Sequence, residues 1–318
     1  MRKLVIVLLF ALACSQEKPV VPAAPVWPRL ARFEPMVIPA DNPITEAKVA
    51  LGQKLFNDTR LSADNSTACS GCHAPRYGFT IGAAKPVGAY GIEQNRACPS
   101  LINAGYAKGY YWEGAPIPLE RAVRGMWTFV MIPKGDGRPT PDQVAAKLNE
   151  DATLRAEFVS ALGSESTVDN IAKALASYIR TLVPADAAWV RFHDGDATAL
   201  SETARRGYEV FDRKARCTNC HSGVLLTDRL RHDIGTGGTY KTPTLLNIGR
   251  SAPYFHDNRI PQLEEAVDRM IAGGFETKTP DPQLKPATLT AEERGLLLAF
   301  LRELNAEPAT PPTPTAMP

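Results

Sequence analysis

The sequence predicts a mainly α protein in two halves joined by long loops, and three observations predict it. Apolar residues recur at helical spacing behind start signals in five segments, no comparable run alternates with period two, and one unusual pentapeptide occurs once in each half. The pentapeptides are Cys69-Ser70-Gly71-Cys72-His73 and Cys217-Thr218-Asn219-Cys220-His221. With 318 residues and 44% hydrophobic content, the chain is long enough for about two cores. A formal net charge of +2 and the lack of any basic run give no sign of a nucleic-acid partner.

Taken in order, Met1-Arg2-Lys3 and the stretch from Leu4 to Ala13 read as a basic n-region and an apolar h-region too short to span a bilayer. Residues 1–13 are therefore expected to be an export signal. Ala11-Leu12-Ala13-Cys14 resembles a bacterial lipobox, which makes Cys14 the expected lipid anchor and the periplasm the expected compartment, with simple cleavage nearby as the alternative. The membrane is then a partner only through that anchor. Residues 14–31 form a Pro/Ala-rich tether, and 306–318 repeat its character as a disordered tail.

Between them, Asn42-Pro43-Ile44-Thr45 introduces a helix from Glu46 to Phe56, with Ala47, Leu51 and Leu55 on one face. Thr140-Pro141-Asp142-Gln143 is a capping box with proline at the first helical position, opening a helix through Leu148. Thr167 opens the third, with Ile171, Leu175, Tyr178, Ile179 and Leu182 at helical spacing. Ser201 begins the fourth, which carries Tyr208 and Phe211 towards the second pentapeptide. Thr290-Ala291-Glu292-Glu293 caps the last, whose Leu297, Phe300, Leu301 and Leu304 face a core.

C-x-x-C-H is the attachment pattern of a c-type haem: two thiols add to the porphyrin vinyl groups and the adjoining imidazole ligates the iron. A zinc site needs four converging ligands, whereas each cluster offers two Cys and one His, and neither cluster has the βαβ context of a redox-active dithiol. The expected fold is thus two cytochrome c-like domains, each with one covalently bound c-type haem, over residues 32–190 and 191–305. Cys69, Cys72, Cys217 and Cys220 form the thioethers, and His73 and His221 bind iron. With Cys14 given to lipid or removal, Cys98 is left over; no intramolecular disulfide is expected, and Cys98 reads as a small buried residue.

Function then turns on the sixth iron position, which an electron carrier fills and a peroxide-activating haem leaves open. Besides His73 and His221 the chain has only His193, His232 and His256, none of them between His73 and residue 193. The first haem has no obvious His of its own half to close it, which points to an open, reactive site. In the second half Met270 offers a thioether suited to a haem that relays one electron, although a lone Met is more often core filler.

Further residues carry a resemblance. They are Asn42-Pro43, Leu51-Gly52, Leu55-Phe56 and Arg60-Leu61-Ser62 before the first pentapeptide, then Arg96, Pro99-Ser100, Asn103-Ala104 and Trp112-Glu113-Gly114. The second half adds Arg205-Arg206-Gly207, Lys241-Thr242-Pro243-Thr244-Leu245, Asn247 and Ala252-Pro253-Tyr254-Phe255-His256-Asp257. In this combination and order the chain resembles the bacterial dihaem cytochrome c peroxidase and MauG family, from about Pro39 to Leu304.

The resemblance implies a peroxidatic haem at His73 and an electron-transfer haem at His221 with Met270 as its second ligand. Met270 falls 14 residues after His256 (270 − 256), where the peroxidases place a methionine and MauG-type enzymes a tyrosine. Trp112 matches the family's inter-haem tryptophan, an electron relay; its other reading is a packed aromatic beside Tyr110 and Tyr111. The family also holds a calcium ion between its domains, and Ala97 stands where its asparagine ligand would be. Classical peroxidases close the first haem with a loop His, but here that loop reads Val87-Gly88-Ala89-Tyr90-Gly91, so a constitutively accessible haem is expected, as in MauG-type enzymes, unless Tyr90 ligates. The family's acid–base Glu and its helper Gln align with Ile132 and Ala122, and with a gap Asp136 takes the Glu's place; its other reading is a turn residue.

The expected protein is an enzyme: a periplasmic dihaem oxidoreductase reducing hydrogen peroxide at the His73 haem, with electrons relayed by the His221/Met270 haem from a small cytochrome c or cupredoxin. The alternatives are MauG-like oxidation of a partner protein, a dihaem electron carrier without bond-breaking chemistry, and a haem that senses a diatomic ligand.

Overall fold

Side-chain caps set most of the helix starts. A computed structural model describes residues 27–83 and 85–308; the export signal, Cys14, most of the tether and the tail beyond 308 lie outside these residues. Thr45 caps α1 (Glu46–Phe56), Thr140 caps α4 (Pro141–Leu148) in a full capping box, Thr167 caps α6 (Val168–Arg180), Ser201 caps α8 (Glu202–Glu209), and Thr290 caps α10 (Ala291–Glu303) in a second capping box. These are the helices the sequence predicts. The chain adds α2 (Cys69–Cys72), α3 (Leu119–Met126), α5 (Ala152–Leu162), α7 (Ala188–His193) and α9 (Leu263–Ile271). Among the described residues the sheet content is one antiparallel ribbon, β1 (Arg231–Asp233) with β2 (Thr239–Lys241), His232 opposite Tyr240. The architecture is mainly α.

The helices pack in two groups that repeat one another. In the first, α1 crosses α6 at Gly52, where an added Cβ would lie 2.1 Å from the Ala174 carbonyl oxygen and 2.9 Å from Tyr178 Cβ. In the second, α8 crosses α10 at Gly207, where the same Cβ would lie 2.1 Å from the Leu296 oxygen and 2.8 Å from Phe300 Cβ. Only glycine lets the backbones approach so closely. The likeness continues along the chain. Ser100 and Thr244 donate to the carbonyls of Gly78 and Leu225, at 2.7 and 2.8 Å. Asn103 and Asn247, both at positive φ, donate their backbone N–H to Leu182 and Leu304. Glu120 on α3 pairs with Arg180 on α6, as Glu264 on α9 pairs with Arg302 on α10.

The two groups meet through a reciprocal pair of backbone hydrogen bonds. Ala97 N–H donates to the His256 carbonyl at 2.7 Å, and Lys241 N–H donates to the Trp112 carbonyl at 2.8 Å. Ala97 and Lys241 are counterparts in the repeat, and so are Trp112 and His256, each pair 144 residues apart (241 − 97; 256 − 112). The contact thus has approximate twofold character, and the buried core runs through both groups.

Candidate haem sites

The first pentapeptide opens onto a cavity of about 720 Å³. Short helix α2 carries Cys69 and Cys72 to its wall, and the His73 N–H closes the turn onto the Cys69 carbonyl at 2.8 Å. The His73 ring is oriented by Nδ1, 3.0 Å from the Phe79 carbonyl oxygen. A carbonyl can only accept, so Nδ1 carries the proton and the Nε2 lone pair is left for a metal. Burial also lowers the His73 pKa, which favours the neutral ring that ligation needs. The second pentapeptide repeats the device: His221 Nδ1 lies 3.0 Å from the Leu226 carbonyl, and burial likewise lowers its pKa. Burial pushes the Cys69 and Cys217 thiols up to about 12 and Cys220 up to about 11, as expected of thiols kept protonated in apolar surroundings.

The cavity fits a large apolar ligand with a polar edge. Ala122, Val123, Met126, Trp127, Phe129 and Val130 from α3 and the π-turn after it supply an apolar wall. The Trp127 indole N–H is already spent on the Leu61 carbonyl at 2.9 Å. Two buried groups on the lining lack any partner: both amide atoms of Asn103, which is 6% exposed, and Nε of Arg229. Orphaned buried polar atoms are rare, and here both belong to residues that line the cavity.

The structure brings several of the sequence-predicted residues together and leaves others apart. Trp112 lines the cavity; its indole N–H donates to the Ala97 carbonyl at 2.8 Å, and its ring lies 6.2 Å from that of His256, edge to face. Tyr90 is not among the lining residues: its ring is covered by Arg138, 4.2 Å from the centroid, and its N–H is bonded to Asp64 at 2.6 Å. Asp136 is exposed in the turn that the Arg138 N–H closes onto the Gly135 carbonyl, outside the lining, and Ile132 is buried outside it too. The carboxylates that do line the cavity are Glu93 and Glu113. Met270 sits in the last full turn of α9, half-buried.

Cys98 differs from the expectation of a buried filler. It is half-buried on the cavity lining, and the Cys72 thiol within hydrogen-bonding reach, together with burial, pushes its pKa up. Sequence reading also passed over Met126 and Met131, the thioethers on the lining. A signal for Met126 was present: Leu119-Glu120-Arg121-Ala122-Val123-Arg124-Gly125-Met126 recurs as Leu263-Glu264-Glu265-Ala266-Val267-Asp268-Arg269-Met270.

Over 302 residues the chain is 32% identical to the methylamine utilization protein MauG of Methylorubrum extorquens, covering 88% of this chain and 84% of that one. The chain belongs to the di-haem cytochrome c peroxidase and MauG family. The family model described as di-haem cytochrome c peroxidase matches residues 46–198. Cytochrome c peroxidase Ccp of Escherichia coli is 28% identical over 300 residues, covering 86% of this chain and 62% of that protein. Among solved structures, a MauG-like protein associated with microbial copper homeostasis superposes with a TM-score of 0.78 at 27% identity, over 89% of this chain and 96% of that one. The diheme peroxidase BthA of Burkholderia thailandensis shares the fold, with a TM-score of 0.67 at 18% identity, over 87% of this chain and 92% of that one. As a member of this peroxidase and MauG family the protein is an oxidoreductase, and the family implies haem c as its cofactor.

Proposed function

We propose that the protein is a periplasmic dihaem oxidoreductase that reduces hydrogen peroxide at the haem anchored by Cys69, Cys72 and His73. The observation that carries this reading is the cavity lining, which holds no histidine besides His73 and presents an apolar wall. Haem c, when bound, supplies the redox-active iron that peroxide chemistry requires. The chain's residues do the remainder. His73 keeps its proton on Nδ1 against Phe79, presenting Nε2 as the ligand atom. Ala122, Val123, Trp127 and Val130 keep that side of the reacting volume apolar. Proton movement falls to the carboxylates on the cavity lining, Glu93 and Glu113, in preference to Asp136, which lies outside it.

Trp112 is the relay between the halves, a role supported by its place on the cavity and against His256. Cys217, Cys220 and His221 would hold the second haem, with Met270 as a further ligand to its iron, and that haem would relay electrons one at a time. Reducing equivalents come from a small cytochrome c or cupredoxin.

A second reading, oxidation of a partner protein in the manner of MauG, is supported by the 32% identity to MauG and by the want of any ionisable side chain along the α3 wall. Calcium has no support from a side chain at Ala97. Steady-state assays with peroxide and a reduced small cytochrome c test the proposal: turnover is expected, and a fully haem-loaded protein that leaves peroxide unconsumed would sink it.

A further inference from the structure

We infer that Met126 is a displaceable sixth ligand for the iron of the haem that His73 holds. The inference rests on a haem occupying the cavity beside His73, as proposed above, and adds a thioether that shuts the site at rest.

The internal repeat carries the argument. Residues 119–126 and 263–270 share Leu, Glu, Ala, Val and Met at matching positions, and Met126 and Met270 are 144 residues apart (270 − 126). The same separation relates Pro99 to Pro243, Asn103 to Asn247 and Tyr110 to Tyr254, so the match is in register with the surrounding chain. Both methionines stand in the last turn of corresponding helices, α3 and α9. Those helices are held to their neighbours by corresponding ion pairs, Glu120 to Arg180 and Glu264 to Arg302. Two helices tied at the same position to corresponding partners present their last turn in the same direction. In the first half that direction is observed: the Met126 side chain lines the cavity shared by Cys69, Cys72 and His73. If Met270 is a ligand in its half, Met126 is placed to be one in its own.

Beyond these two helices the halves diverge. α9 ends in Gly273-Gly274, whereas α3 runs into the π-turn Trp127–Met131, and Met126 is 44% exposed. π-turns inside helices recur at functional sites. A neutral thioether on a flexible three-bond stem, half open to solvent, is a ligand that an entering small molecule can replace. Ligation and release exchange one coordinate bond for another without electron transfer.

The test uses the haem-loaded full chain and reads spin state and ligand binding. Magnetic circular dichroism of the oxidised protein is expected to show sulfur-to-iron charge transfer from two haems. Met126→Leu should remove one contribution and create high-spin haem, and Met270→Leu should remove the other. Azide affinity should rise about tenfold or more in Met126→Leu, because the closed fraction no longer competes. Leucine keeps the volume and polarity, so the helix is retained. Equal high-spin content and equal azide affinity in wild type and Met126→Leu would overturn the inference. Peroxide turnover is scored separately: a Met126→Leu protein with an opened haem and no turnover refutes the peroxidase reading and leaves the ligand assignment standing.

Discussion

Arg180 and Glu120 form a two-pronged ion pair between α6 and α3, Nη1 to Oε1 at 2.6 Å and Nη2 to Oε2 at 3.0 Å. Arg180 is almost wholly buried, and Asn42 adds a third hydrogen bond to the same carboxylate at 2.8 Å. Burial alone would raise the Glu120 pKa, but the Arg180 and Asn42 hydrogen bonds and the Arg180 charge outweigh it and hold the carboxyl ionised. The pair fixes the helix that forms the apolar wall of the first cavity. Glu120→Ala leaves a buried guanidinium without its counterion and is expected to cost about 3–5 kcal/mol in urea unfolding.

The helix crossings make a matched pair of predictions. Gly52→Ala and Gly207→Ala each drive a Cβ to within 2.1 Å of a carbonyl oxygen across the crossing, so the helices must separate. Each is expected to cost about 3 kcal/mol or more, the upper end of overpacking in a core. Thermal unfolding with haem attached would measure it, and a loss below about 1 kcal/mol would contradict the close approach.

Met270→Leu should lower the reduction potential of the second haem by on the order of 0.1 V, a modest part of the roughly 0.8 V that axial ligands span. Redox titration monitored by optical spectroscopy reads it directly. No change in that potential would remove Met270 from the iron.

His232 gives the pH dependence. It is 7% exposed and lies between two carboxylates, with Nδ1 2.7 Å from Asp281 and Nε2 2.7 Å from Asp228. Burial disfavours the charged ring, but the Asp281 and Asp228 bonds outweigh it, and the pKa is raised. A raised folded-state pKa stabilises the fold fully below the ordinary imidazole value of about 6.5 and loses that contribution as pH climbs through the raised value. Stability should therefore fall as pH climbs above about 6.5, and His232→Gln should flatten that fall. A wild-type profile with no decline above that pH would contradict the clamp.

Trp112→Phe keeps an aromatic ring against His256 and deletes the hydrogen bond to Ala97. It is expected to slow electron exchange between the haems while leaving their axial ligation, and hence their resting spectra, unchanged. Freeze-quenched spectra after peroxide addition would show this as one haem oxidised alone.

Five of the capped helices were legible because their signals are local: Thr45, Thr140, Thr167, Ser201 and Thr290 each sit three residues before the N–H they satisfy; α5, capped by Asp151, was not. The pentapeptides were legible for the same reason. α3 and α9 were not, because Pro118 and Gln262 ahead of them supply no side-chain cap. The duplication was hidden by drifting separations: 155 residues between Gly52 and Gly207, 148 between Cys69 and Cys217, and 122 between Arg180 and Arg302. The closeness of Cys98 to Cys72, and the distance of Asp136 from the cavity, depend on loop paths that no linear pattern encodes.

The reciprocal bonds at Ala97 and Lys241 have a consequence for any attempt to divide the molecule. Each half uses the other's backbone as its own edge partner, so a half expressed by itself would bear an unsatisfied, self-complementary margin. Such a fragment is built to associate isologously with a second copy of itself, as a symmetric dimer of like halves.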